Sequence, residues 1–342
     1  MPRSRRSAEA GGLAAAWRRR GPAACLLFPF SLIFKALVAA RQTFYRVGML
    51  NRERLPVPVV VVGNITVGGT GKTPLVIHLA LALRASGRHP GIVSRGYGGD
   101  SRHVREVTGD SDPKAVGDEP RLLAQRASCP VFVGRDRVAA ARSLLASHPE
   151  CDLIIADDGL QHYRLARDVE LALIDARGLM NGWALPAGPL REPVSRLALV
   201  DALVLNGTAV SPAPTFSGAT FSMRLLGNRF HRLDRPMTSC SAADLAGLNL
   251  HAVAGIGSPE RFFDHLTGMG LAFSAHPFAD HYDYRAEDLQ FAGEAILTTE
   301  KDAVKLDRLS ISLPVWVLPV TAEVSPDLAA YVLEKLNGRP PA

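Results

Sequence analysis

The sequence predicts an α/β protein with a large parallel-sheet domain, a second, smaller α/β domain and an N-terminal helix suited to a membrane surface. Three observations carry this prediction. Four consecutive valines, Val59 to Val62, run into Gly63-Asn64-Ile65-Thr66-Val67-Gly68-Gly69-Thr70-Gly71-Lys72-Thr73-Pro74. Beyond them, β-branched runs alternate with helix-like stretches, the pattern of a parallel sheet covered on both faces. Ahead of them, an apolar stretch from Ala23 to Ala40 lies among arginines.

The N-terminal segment carries the unusual charge. Residues 1–52 hold ten Lys/Arg (Arg3, Arg5, Arg6, Arg18, Arg19, Arg20, Lys35, Arg41, Arg46, Arg52) against Glu9 alone, a net +9. The whole chain is +6, so residues 53–342 carry −3 and the basic character belongs to this segment. With no recognition motif beside it, nucleic acid is not an expected partner. Three membrane-related readings compete for the apolar stretch. A spanning helix needs about 20 apolar residues, and here Pro29 and Lys35 interrupt. A signal peptide fits the arginines and the Val38-Ala39-Ala40 end, but export would part the glycine-rich loop from ATP. The third is an interfacial helix: Pro29 suits a first turn, and Ser31, Lys35 and Gln42 form one polar stripe on an apolar cylinder flanked by Trp17, Phe44 and Tyr45. That composition favours a helix lying in an anionic membrane surface. A helix packed on the domain's own core is the bland alternative.

Residues 53–214 form the first domain. Val57–Val62 is a buried strand and Thr73–Ala85 a helix; the glycines between them shape a phosphate cradle. Strand, Gly-rich loop, Lys-Thr and helix in that order are what a P-loop requires. Thr66 through Pro74 are the nucleotide-binding candidates. Lys72 would reach the β/γ oxygens and Thr73 a Mg²⁺ ion. Thr66 stands where the usual pattern begins with Gly. Further strands are expected at Gly91–Ser94, Val131–Val133, Leu153–Ala156, Leu171–Ile174 and Ala202–Leu205, with a helix at Arg137–Ala146. From Ser211 the composition shifts to Ser-Pro-Ala-Pro-Thr. Residues 215–235 resemble a short antiparallel connector, with Thr215–Leu225 and Arg229–Leu233 flanking Gly227-Asn228. Residues 236–342 then read as the second domain: strands His251–Ile256, Ala295–Thr298 and Val315–Leu318, helices Pro259–Thr267 and Pro326–Leu336.

A length of 342 residues with 47% apolar and 21% charged residues fits a two-domain, core-forming protein. Cys25, Cys129, Cys151 and Cys240 are scattered without a C-x-x-C, so neither zinc nor a disulfide framework is indicated.

Several blocks could do chemistry. Leu153 to Ala156 is an apolar strand ending in Asp157-Asp158-Gly159-Leu160-Gln161-His162, and a carboxylate at such a strand end next to a P-loop is the Mg²⁺-holding position; an Asp-Asp-Gly turn without a ligand is the bland alternative. Gly117-Asp118-Glu119-Pro120 alone reads as a helix N-terminus before Arg121–Arg126. Ser94-Arg95-Gly96-Tyr97-Gly98 would suit an anionic or sugar substrate, or be a surface loop. Gly188-Pro189-Leu190-Arg191-Glu192-Pro193 offers an Arg to phosphate and a Glu to a ribose hydroxyl. Asp280 beside His281 gives that histidine a candidate orienting partner.

Together with the apolar helix ending Arg41…Tyr45-Arg46 and with Thr298-Thr299-Glu300-Lys301-Asp302-Ala303-Val304-Lys305, these blocks resemble the tetraacyldisaccharide 4′-kinase family, in its order and over nearly the whole chain. The Arg-rich extension before the helix is a departure. The resemblance implies transfer of the ATP γ-phosphate to the 4′-hydroxyl of a tetraacylated disaccharide 1-phosphate, a lipid A precursor, at the cytoplasmic face of the inner membrane. It implies Asp118 as the base, paired with His281 from the second domain, and so domain closure. Thr73, Glu119, Asp157 and Asp158 are then expected around Mg²⁺ or its waters. Arg191 and Glu192 are expected at the nucleotide, and Arg95, Tyr97, Gln161, His162 and Arg137 at the disaccharide. No protein partner is implied. A membrane-associated P-loop ATPase acting as a switch is the competing class; Val67 stands where partitioning ATPases carry a signature Lys, and no N-K-x-D guanine motif is present.

Overall fold

The computed structural model describes residues 17–100, 102–207 and 216–338. The first part of the Arg-rich extension, with Arg3, Arg5 and Arg6, and the Ser211-to-Thr215 stretch lie outside the described residues.

Helix α1 spans Pro22–Arg46, so Pro22 rather than Pro29 takes the first turn and Pro29 falls inside the helix. It is long and apolar enough to cross a membrane by length and composition. Its polar stripe does not face outward as a whole. Ser31 is fully buried against the body and Gln42 donates to the Tyr163 hydroxyl at 2.8 Å, whereas Lys35 stays exposed. Leu26, Phe30, Ile33 and Leu37 are 60–77% exposed on the outer side. A water-facing helix does the reverse.

The first domain runs β1 (Val59–Gly63), α2 (Lys72–Ala85), β2 (Pro90–Ser94), β3 (Arg105–Val107), α3 (Pro113–Val116), α4 (Asp118–Arg126), β4 (Val131–Val133), α5 (Arg137–Ser147), β5 (Leu153–Asp157), β6 (Val169–Asp175), β7 (Ala202–Asn206) and β8 (Ala219–Leu226). The second contains β9 (Arg229–Arg232), β10 (Ser239–Ser241), α6 (Ala242–Leu245), β11 (Leu250–Ala254), α7 (Pro259–Gly268), β12 (Phe273–Pro277), β13 (Ala295–Thr299), α8 (Glu300–Leu306) and β14 (Val315–Leu318). The chain closes with β15 (Thr321–Ser325) and α9 (Leu328–Asn337).

Among the described residues nine strands form the large sheet, in the order β15-β8-β7-β6-β1-β5-β2-β4-β3, parallel except at its two edges. Every residue of β1, β5 and β6 is buried, because helices cover both faces of the sheet. One core packs α2 and α9 against one face; the other sets α5 against the opposite face. The small sheet has the order β10-β9-β14-β13-β11-β12, with apolar clusters on both sides.

The structure corrects the expected connector. β8 and β9 do not pair: β8 lies parallel to β7 and antiparallel to β15, while β9 joins β10 and β14 in the other sheet. Gly227-Asn228 is therefore where the chain leaves the large sheet. It returns at β15, so residues from 321 onward belong to the first sheet rather than to the second domain. The two crossings touch; a Cβ on Gly227 would lie 2.6 Å from the Pro319 carbonyl oxygen. Period-2 patterning cannot reveal which sheet a short strand joins.

Candidate active site

The carboxyl ends of the parallel strands share one edge of the large sheet, where ligands of open α/β sheets bind. Register sets Val62 beside Asp157, Gly63 beside Ala172 and Asp175 beside Asn206. The loop after β1 turns through Gly68 and Gly71, at φ 98° and 95°. Gly71 has no room for a side chain, since a Cβ would sit 2.6 Å from Asn206 Nδ2, which donates to the Thr70 carbonyl at 2.8 Å. Lys72 opens α2 with its ammonium 3.2 Å from Asn64 Oδ1 and 3.5 Å from Asp158 Oδ1. Thr73 and Pro74 complete that first turn. Thr66 and Val67 face a neighbouring loop instead: Val67 N donates to the Pro189 carbonyl at 2.9 Å and Thr66 bridges to Leu190. Gly68 and Gly69 stay open, and the Arg177 guanidinium holds the Gly69 carbonyl at 3.1 Å.

Two carboxylates close the far side. Burial, then the charges of Glu119 and Asp158, push the Asp157 carboxyl up to about 7. Its Oδ2 accepts from Ser94 Oγ at 2.9 Å, while its buried Oδ1 has no hydrogen-bond partner among the described residues. Burial also opposes ionisation of Asp158, but Lys72 and Arg191 outweigh it and bring Asp158 down to about 2. Arg191 Nη1 lies 2.9 and 3.1 Å from the two Asp158 oxygens. An orphaned carboxylate oxygen in a field of like charge fits a cation. Among the described residues no three His, Cys, Asp or Glu converge into a metal cage. Mg²⁺ at a P-loop needs none, being held by one or two carboxylates plus phosphates and waters.

The third group spans the two domains. Asp118 and Glu119 stand in the first turn of α4 itself rather than ahead of it. A Cβ on Gly117 would lie 2.5 Å from the Tyr97 carbonyl, so the Arg95–Gly98 loop lies directly on that turn. His281 Nδ1 meets Asp118 Oδ2 at 2.9 Å, and the exposed Tyr97 ring packs 5.1 Å from the imidazole. Lys301 Nζ lies 3.0 Å from Glu119 Oε1, 3.1 Å from Asp280 Oδ1 and 3.3 Å from His281 Nε2. Since an ammonium only donates, His281 Nε2 is the acceptor and Nδ1 carries the proton given to Asp118. Burial raises the Asp118 carboxyl, but the His281 hydrogen bond and the Lys305 and Lys301 charges together hold it below the usual range. Burial lowers Lys301, and Glu119 and Asp280 more than reverse that, so its ammonium is strongly retained. Lys301 and Lys305 were not assigned roles from the sequence. Their i, i+4 spacing on α8 is the signal, because it puts both ammonium groups on one helix face.

The remaining residues divide. Gln161 Nε2 donates to the Asn64 carbonyl at 3.0 Å, beside Lys72. Burial first, then Arg137, lower His162 to about 4, with Asp136 at 3.8 Å. Arg95 is exposed. Arg137 is buried behind the carboxylates, its Nη2 3.4 Å from the Asp158 carbonyl oxygen, so it braces the site rather than lining it. Glu192 departs most from expectation. It is 2% exposed and bonded to the Tyr163 hydroxyl, with Arg196 Nε 3.5 Å away. The chain bends at Arg191 and Glu192, so as Arg191 turns to Asp158, Glu192 turns away from the phosphate loop to Tyr163, whose hydroxyl also accepts from Gln42 of α1.

Family, relatives and solved structure agree. The family model described as tetraacyldisaccharide-1-P 4′-kinase matches residues 23–337. The tetraacyldisaccharide 4′-kinase of Azoarcus sp. (strain BH72) is 53% identical over 328 residues, covering 95% of this chain and 96% of that protein. Its counterpart in Janthinobacterium sp. (strain Marseille) is 52% identical, covering 94% and 95%. Among solved structures, "apo" form LpxK from Aquifex aeolicus in complex with ATP superposes with a TM-score of 0.76 at 32% identity, covering 92% of this chain and 98% of that one.

Proposed function

The chain belongs to the tetraacyldisaccharide-1-P 4′-kinase family and is an ATP-dependent lipid kinase of lipid A biosynthesis, and we propose that Asp118, paired with His281 across the domain cleft, is the base that activates the 4′-hydroxyl. The observation that carries this reading is the 2.9 Å contact between His281 Nδ1 and Asp118 Oδ2, on the same sheet edge as Lys72 and the Asp157–Asp158 pair.

The residues divide the reaction. His281 holds Asp118 ionised through Oδ2 and leaves Oδ1 beside Gly98, where the sugar hydroxyl would deliver its proton. The 4′-oxygen attacks the γ-phosphorus as the bond to the β–γ bridging oxygen breaks, and ADP leaves with that electron pair. Lys72 moves from Asp158 to the β/γ oxygens, and the amides of Gly68 to Gly71 support the phosphates. Asp157 and Asp158, with Thr73 and Glu119, would hold Mg²⁺ or its waters, and the ion when bound would neutralise the charge on those oxygens. Arg191 orients Asp158. Arg95, Tyr97, Gln161 and His162 face the disaccharide, and Arg137 supports them from behind. ATP comes as the co-substrate because the Aquifex relative holds it.

The same reading takes α1 to the cytoplasmic face of the inner membrane as a peripheral anchor. Its outward apolar side and the flanking Arg18, Arg19, Arg41 and Arg46 suit an anionic surface. One experiment tests the reaction: mass spectrometry of the lipid A disaccharide 1-phosphate incubated with ATP and the full chain. A gain of one phosphate is expected, and ATP hydrolysis without lipid product would overturn the assignment.

A further inference from the structure

The polar contacts that fasten α1 to the body concentrate on one loop. Ser31, fully buried on a helix whose other side is open and apolar, donates through Oγ to the Ala184 carbonyl at 2.8 Å and accepts from Ala187 N at 3.0 Å. Ahead of the helix, Trp17 Nε1 donates to the Pro186 carbonyl at 2.9 Å and Arg20 Nε to the Asn181 carbonyl at 3.1 Å. The loop itself is stiff. Asn181 ties its two sides together, accepting from Trp183 N at 3.0 Å and donating to the Ala187 carbonyl at 2.9 Å. At Gly188 a Cβ would fall 2.2 Å from the Trp183 carbonyl oxygen, so the turn admits nothing larger.

Two residues beyond Ala187 the same loop becomes a wall of the phosphate site. Pro189 accepts from Val67 N at 2.9 Å, Leu190 bridges Thr66, and Arg191 N donates to the Ile65 carbonyl at 2.7 Å. Helix, loop and phosphate cradle are thus joined by consecutive hydrogen bonds. We infer that Ser31 is a positioning residue of the nucleotide site: it fixes the 184–190 loop so that seating α1 on a lipid surface and filling the phosphate loop favour one another. The inference rests on the membrane reading of α1. Removing the hydroxyl leaves the buried Ala187 N–H without its partner and takes one of two donors from the Ala184 carbonyl, which Gly188 N still meets at 2.9 Å; this loosens the loop without touching the outward face. Coupling between two binding events is reciprocal.

The test uses the full chain, a fluorescent ATP analogue, and vesicles of phosphatidylethanolamine and phosphatidylglycerol. It reads binding, so failure of the kinase assignment does not enter. In the wild type, vesicles are expected to tighten nucleotide binding about tenfold, and nucleotide to tighten vesicle binding by the same factor. Ser31→Ala should keep the vesicle affinity measured without nucleotide, lose the mutual tightening and exchange amide hydrogens of residues 64–71 faster. Ser31→Thr, which retains a hydroxyl, should keep the coupling. Wild-type nucleotide affinity indifferent to vesicles, or a Ser31→Ala chain coupled like the wild type, overturns the inference. A wild type that ignores vesicles altogether overturns it together with the membrane reading.

Discussion

Asp118 shows how single residues acquire their chemistry from neighbours far along the chain. Burial alone would keep its carboxyl protonated too long for a base; the His281 hydrogen bond and the lysines of α8 reverse that. A carboxylate with a depressed native value contributes stability above its ordinary range and loses it as pH falls through the native value. Catalysis follows the same sign, because the base must be ionised. The acid limb of the kcat profile is therefore expected below the usual carboxylate range, and His281→Ala should move it to higher pH. Asp118→Asn should lower kcat by about 10²–10⁴ with KM for ATP nearly unchanged. A limb that stays put in His281→Ala, measured in steady-state assays across pH, removes the pairing. Both residues lie in short motifs and took their roles from the family resemblance. Lys301 lies in such a motif too but took none, since an ammonium that bridges Glu119, Asp280 and the imidazole is visible only once α8 and α4 are in contact. Glu192 shows the converse, a residue of suitable type in a suitable motif whose side chain points into the protein.

Among the elements, the loop after β1 was legible because its chemistry is local: strand, glycines, lysine and helix are contiguous, and backbone conformation decides where the amides point. Gly71→Ala tests that locality. At φ 95° an L side chain costs about 1–2 kcal/mol, and the added Cβ would meet Asn206 Nδ2 at 2.6 Å. Thermal unfolding should fall further than for Gly87→Ala, where φ is 82° with nothing within 4 Å, and only Gly71→Ala should lose nucleotide binding. Equal losses of stability in the two variants would refute the steric argument. Helix α1 was half legible. Its apolar character was plain in the sequence, but neither its start, which lies at Pro22 rather than Pro29, nor its orientation was. A polar stripe that suits a headgroup layer suits the protein body equally well, and tertiary contact turned Ser31 and Gln42 inward.

At the scale of the whole molecule, two sheets are joined by adjacent crossings at Gly227-Asn228 and Pro319-Val320, and the cleft between them carries Asp118 on one wall and His281 on the other. Arg121 on α4 donates to the Val304 carbonyl at 2.6 Å and pairs with Asp307, so the walls are held together away from the phosphate loop as well. Outside this body, α1 presents its apolar side to solvent. Phe30 and Ile33 are each 60% exposed, so replacing both by Glu should leave the unfolding temperature unchanged within a degree or so. Co-sedimentation with anionic vesicles should fall sharply; undiminished co-sedimentation would remove the peripheral-anchor reading. By itself the sequence determined the parallel α/β class, the phosphate loop, the strand-end carboxylates and the basic, apolar N-terminus, because each depends on residues near one another in the chain. Only the tertiary structure decided that β15 and α9 return to the first sheet, that Glu192 is buried, that Lys301 bolts the cleft and that Ser31 faces the protein. Those depend on which surfaces meet after the strands have paired, and a period of two or of 3.6 residues says that a face is buried without saying against what.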